Sequence, residues 1–192
     1  MTEVVPGRRV PPIPLKLRML LALRLASTLL QILHTQWLKS AWSKDVVCFP
    51  LFRAECTNAA KIDFSKPFIS SGFNSETSGN LAPIDPIEPK IAMLELGIML
   101  LEIWHETTLE TQFSLRESPT KYHKRLALAL TWRDEAEVVN PLLELYDKAM
   151  SYCLTGVISG EARNTQWHDL KLWTAVCADI IEPLSKNCKL WK

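Results

Sequence analysis

Between Pro89 and Glu106 the chain carries Leu94-Glu-Leu-Gly-Ile-Met-Leu-Leu-Glu-Ile-Trp104, a helix-length stretch that is apolar on almost every side. A helix without a polar face has to be buried. A membrane span needs roughly 20 apolar residues, and this run is shorter and carries Glu95 and Glu102. The segment must therefore sit at the centre of a soluble body, enclosed by other elements. Pro89 suits the first turn of a helix, so the spacing predicts a helix from Pro89 to about Glu106. Gly97 costs about 1 kcal/mol against Ala inside a helix. Its presence implies the close approach of another backbone.

A second helix is predicted from Leu15 to about Gln36. Leu17, Leu21, Leu25, Leu29 and Ile32 or Leu33 repeat at helical spacing, and no charge falls between Leu25 and Leu33, so most of its sides are buried. The stretch resembles a signal peptide only superficially. Pro11, Pro12 and Pro14 stand where a signal is loose and basic, Arg24 interrupts the apolar run, and no small-x-small cleavage site follows.

Residues 37–44 read as a loop, Asp45 to Phe49 as a short strand, and Lys61 to Phe64 as its partner in a small hairpin. Residues 65–88, rich in Ser, Gly, Asn and Pro, read as a long surface loop. Ser118-Pro119 and Asn140-Pro141 are N-cap and first-turn signals. They open helices to about Trp132 and from Pro141 to Thr155, the latter with Gly156 as C-cap. Thr165 is the expected cap of a last helix that buries Trp167, Leu170, Trp173 or Thr174, Cys177 and Ile181 and ends at Pro183. The organisation expected is an extended Pro-rich N-terminus (1–14), one mainly α domain of helices packed orthogonally (15–183) and a C-terminal tail (184–192).

Basic and acidic residues number 22 and 21, for a net charge of +1, so the chain lacks the basic footprint of a nucleic-acid binder. Five cysteines, Cys48, Cys56, Cys153, Cys177 and Cys188, include no C-x-x-C pair. An odd count without that spacing fits a reducing compartment, and the expected location is cytoplasmic.

No motif for chemistry is complete. His105-Glu106 opens H-E-x-x-H, but the second histidine's position is Leu109, and a metal needs both imidazoles on one face. A polar helix C-terminus accounts for the pair. His34, His123 and His168 lack ligand spacing, and the glycines at 7, 72, 79, 97, 156 and 160 are too scattered to cradle a phosphate. Glu95 and Glu102 share a helix face without forming an acid–base pair; they read as polar edges of a buried helix. The seven tryptophans, Trp37, Trp42, Trp104, Trp132, Trp167, Trp173 and Trp191, read as core rather than as a binding groove.

Three segments together resemble the lower lobe of a protein kinase. Arg18-x5-Arg24-Leu-Ala-x-x-Leu-Leu-x-x-Leu-His34 resembles the helix before the catalytic loop. Leu96-Gly-Ile-Met-Leu-Leu-Glu-Ile103 resembles the central helix, and Pro141-Leu-Leu-x-Leu-x6-Tyr-Cys-Leu154 a later one. With Trp37-Leu38, Trp42-Ser-Lys-Asp45 and Lys66-Pro-Phe-Ile-Ser70, the pattern is similar to a family of fungal kinase-like domains of uncharacterised function, often accompanied by prion-inhibition or incompatibility modules. The resemblance implies a kinase C-lobe without an N-lobe, since residues 1–14 cannot supply a Gly-rich loop or the strand Lys. It also implies a dead site. Kinases need H-R-D-x-x-x-x-N. Here Asp45 falls near the metal-binding Asn, but no catalytic Asp precedes it at the right distance. Lys61-Ile-Asp-Phe-Ser65 resembles I-x-D-F-G with Ser for Gly.

The expectation is thus a non-catalytic domain that binds a protein or a second copy of itself. No catalytic, cofactor-binding or metal-binding residues are assigned, and no cofactor is implied. An enzyme of another class would draw first on Asp45, Asp63, His34 and Lys44. A small-molecule-binding helical domain would line a cavity with tryptophans.

Overall fold

The computed structural model describes residues 12–32, 44–53, 60–64, 66–70, 88–156 and 169–189. Helix α1 (Leu15–Ile32) is followed by a 3-10 turn at Lys44–Val46 and four short strands, β1 (Val47–Cys48), β2 (Leu51–Arg53), β3 (Ala60–Ile62) and β4 (Phe68–Ile69). Helices α2 (Pro89–His105), α3 (Leu109–Gln112), α4 (Tyr122–Val139) and α5 (Glu144–Ser151) come next. After a π turn at Tyr152–Gly156, the described chain resumes in α6 (Leu170–Val176), a second π turn (Cys177–Ile181) and α7 (Glu182–Lys189). The fold is mainly α with a small amount of β, as the sequence predicts.

Helix α2 is the hub. Met93, Leu94, Leu96, Ile98, Leu100 and Leu101 are all buried, and α1, α4, α5 and the first π turn pack around it. Burial of each such side chain contributes about 1.5–3 kcal/mol. Polar contacts fix how the neighbours cross. The buried Tyr146 hydroxyl of α5 donates to the Leu100 carbonyl at 2.8 Å. Arg125 of α4 forks onto Glu95, with Nε to Oε1 at 2.7 Å and Nη2 to Oε2 at 2.6 Å. Arg133 of α4 grips Asp147 of α5 in the same way, at 3.0 and 3.1 Å.

Gly97 is needed for close approach, though the neighbour is side chain rather than backbone. A Cβ there would stand 2.7 Å from Leu154 Cδ2 and 3.1 Å from Cys153 Cβ. Gly156 has a comparable reason: a Cβ would collide with the Tyr152 ring.

Several expected boundaries move. β1 pairs with β4, Val47 opposite Ile69, while β3 pairs with β2, Leu51 opposite Ile62. The predicted single hairpin is two small antiparallel sheets, because Pro50 ends one strand and lets the next begin. The cap of α4 is Lys121 rather than Ser118. That helix runs past Trp132 because Ala129, Trp132 and Ala136 extend its buried face. Asn140 closes α4, its N–H donating to the Ala136 carbonyl at 2.9 Å, so Pro141 starts no helix and α5 begins at Glu144.

The last helix departs most. Thr165 and Trp167 lie outside the described residues, and Asp169 is the cap, accepting from the Lys171 N–H at 2.8 Å. The buried face is Leu172, Val176, Ile180 and Leu184. Leu170, expected inside, is 78% exposed. Both stripes are apolar, and periodicity alone cannot choose between them. Residues 184–189 are helix rather than tail, and Pro183 lies inside the helical run. A proline ring collides with the carbonyl four residues back; here that residue is Asp179, within the π turn, where the ladder is widened.

Candidate functional site

A groove of about 400 Å³ opens between α1, α2 and the strands. Leu21 and Leu25, one turn apart on α1, form one wall. Met99 and Ile103 of α2 form the floor, and Val47, Phe49 and Phe64 the opposite wall. Phe49 and Phe64 meet edge to face at 5.3 Å, a favourable aromatic geometry that fixes this wall.

One end of the groove is charged. Lys44 Nζ donates to Glu102 Oε1 at 2.9 Å and to Glu110 Oε2. Glu102 Oε1 also accepts from the Leu109 N–H at 2.9 Å, which seats α3 against the end of α2. Burial by itself would lower the Lys44 ammonium, but the hydrogen bonds and charges of both carboxylates hold it above its ordinary value. Burial would likewise raise Glu110, yet hydrogen bonds, that of Lys44 foremost, pull its carboxyl down to about 2. The partners thus favour the charged forms of Lys44 and Glu110, so the cluster is a structural clamp.

At the same end Arg18 gathers the C-terminus of α2. Its Nη1 donates to the Trp104 carbonyl at 2.6 Å, its Nε lies 3.4 Å from Glu106 Oε1, and its guanidinium sits 5.9 Å from the Trp104 ring centroid. Glu106 closes α2 with φ 53° and ψ 31°, a left-handed position usually given to glycine. His105 stacks on Trp132 at 5.2 Å. Burial, with the nearby Arg18 charge, pushes the imidazole below its ordinary value.

Of the residues first suspected for an enzyme, Lys44 lines the groove, whereas Asp45 and Asp63 are not among its lining residues and His34 lies outside the described residues. Glu95 and Glu102 each meet a separate cation, Arg125 and Lys44. Trp104 and Trp132 are core residues, and among the described residues no tryptophan lines the groove. Glu110 was not singled out by the sequence, Arg18 entered with the kinase-like pattern, and Glu106 entered with the incomplete H-E-x-x-H. Among the described residues, no group of three or more His, Cys, Asp or Glu is placed to hold a metal, and no helix is long and apolar enough to cross a membrane.

Beside the groove the strands carry an uncovered apolar surface. Leu51 is 60% and Phe52 53% exposed, and Ile62 and Phe68 are exposed as well. Leu51 and Ile62 face each other across β2 and β3. Among the described residues β1–β4 and β2–β3 are separate two-stranded sheets, so each strand offers an edge.

Comparison with curated proteins and with solved structures finds no match. Residues 6–191 match a family described as a domain of unknown function, DUF7580. The match runs from within the Pro-rich segment to beyond α7, and the chain belongs to that family.

Proposed function

We propose that this is a non-catalytic, cytoplasmic domain that acts by binding another protein through its strand face. The exposed apolar side chains of Leu51, Phe52, Ile62 and Phe68 on the short strands carry the reading. Monomeric proteins seldom leave apolar side chains clustered on the surface without a partner, and unprotected strand edges recruit further chains. The cationic group nearest the groove supports it too, because Lys44 is committed to two carboxylates rather than free for substrate.

The likeness to a degenerate kinase C-lobe, and to fungal incompatibility or defence signalling, is part of the same proposal. It draws on the order of a buried helix, short strands, a hub helix and later helices, and on Asp63-Phe64 directly following β3.

The test is affinity capture from native cell extract with the full chain and with a Phe52→Ser/Phe68→Ser variant of matched circular dichroism. Proteins retained by the first and lost by the second support the reading. Identical capture by both overturns it, as does phosphotransfer from ATP that disappears on Asp63→Ala.

A further inference from the structure

We infer that the groove beside Lys44 receives a basic residue of the partner, presented between apolar side chains on an extended segment. This rests on the protein-binding reading above and adds to it the chemistry of the partner.

The inner groove is apolar, with Leu25, Met99, Ile103 and Phe64 among its lining, and it is open along one side, which suits a chain passing through rather than an enclosed small molecule. Its charged end is electronegative. Among the described residues there, Glu102, Glu106 and Glu110 outnumber the cations Lys44 and Arg18. The C-terminus of α2 points to the same place and adds the partial negative charge of a helix end.

The two cations are not equally used. Lys44 donates to both Glu102 and Glu110. Arg18 spends its shortest bond on the Trp104 carbonyl and reaches Glu106 only at 3.4 Å. The Glu106 ion pair is thus the longest of the three, and Glu106 lines the groove. It also occupies a left-handed position where glycine is easier by conformation. A carboxylate kept there has a use for its side chain. A lysine or arginine of the partner placed against Glu106 would complete the pairing while its apolar neighbours fill the groove.

The test uses random nine-residue peptides displayed on phage, selected against the immobilised full chain and then made synthetically. Selected sequences should share a Lys or Arg between apolar residues. Replacing that residue by Gln, or making Glu106→Gln in the domain, should each weaken binding about tenfold. Val47→Trp, which fills the groove and suits a strand, should abolish it with circular dichroism unchanged. Peptides that lose binding on Val47→Trp but show no basic preference overturn the assignment of the cation and leave the protein-binding reading standing. Peptides indifferent to Val47→Trp but lost on Phe52→Ser overturn the groove as the site. Peptides indifferent to both, or no selected peptide at all, overturn this inference and count against the broader reading.

Discussion

Lys44 Nζ donates to Glu102 Oε1 at 2.9 Å, joining residues 58 positions apart in the chain. The same ammonium holds Glu110, so one lysine ties the strand region to both α2 and α3. Lys44→Met leaves two carboxylates close together with no cation. Removing one partner of a mostly buried pair costs more than the pair itself contributes. With the lysine side chain 33% exposed, solvent screening moderates the loss to about 1–2 kcal/mol. Urea unfolding measures it, and amide exchange in β1 should accelerate in the variant.

The same clamp sets an acid dependence. Glu110 titrates near 2 in the folded chain against 4.5 as its ordinary value. A carboxyl depressed on folding contributes stability that is fully present above the unfolded value and is lost as pH falls through the folded one. The window is pH 4.5 down to about 2. Lys44→Met removes the main cause, so its stability should fall less steeply than wild type across that range, read by urea midpoints at stepped pH.

His105 gives a second window. Burial holds its imidazole below 6.5 in the folded chain, so stability is intact above that pH and declines as pH falls beneath it. His105→Phe keeps an aromatic against Trp132 and removes the titration. Thermal midpoints between pH 7 and pH 5 should change less in the variant than in wild type.

Glu95 and Arg125 are both largely buried and doubly bonded. Arg125→Ala strands a carboxylate beside the hub, and about 3 kcal/mol of stability should be lost. Glu95→Leu combined with Arg125→Met removes both charges and should lose far less. Denaturant unfolding of the three proteins decides this, and equal losses from the single and double variants would contradict the pairing.

Gly97→Val drives a branched side chain into Leu154 and Cys153, where even a Cβ has only 2.7 Å. Overpacking of this kind costs about 2 kcal/mol after the gain from removing a helix glycine. The expected readout is a lower urea midpoint with an unchanged slope.

The hub and α1 were legible because each is apolar over a full helix length, a pattern with a single physical solution. Gly97 was legible for the same reason, since a glycine in such a helix has to be explained by a neighbour. The outer helices were harder. Along α6, the second π turn and α7, Leu172, Val176, Ile180 and Leu184 compete with Leu170, Trp173, Cys177 and Ile181, and the surfaces of α1 and α5 decide which stripe is buried. Asn140-Pro141 misled because the cap residue bonded backwards to Ala136 instead of forwards. The groove was almost silent in the sequence. Arg18 and Lys44 come from stretches far from Glu102, Glu106 and Glu110, and ion pairs of such long sequence separation leave no local spacing to read.

Hydrogen exchange of the domain, alone and saturated with the protein it captures, tests the central claim most directly. The account predicts that protection appears at β2 and β3 and at the groove wall around Val47 and Phe64, with α6 and α7 unchanged. Protection confined to the Leu170–Ile181 face, with the strands exchanging as before, would contradict it.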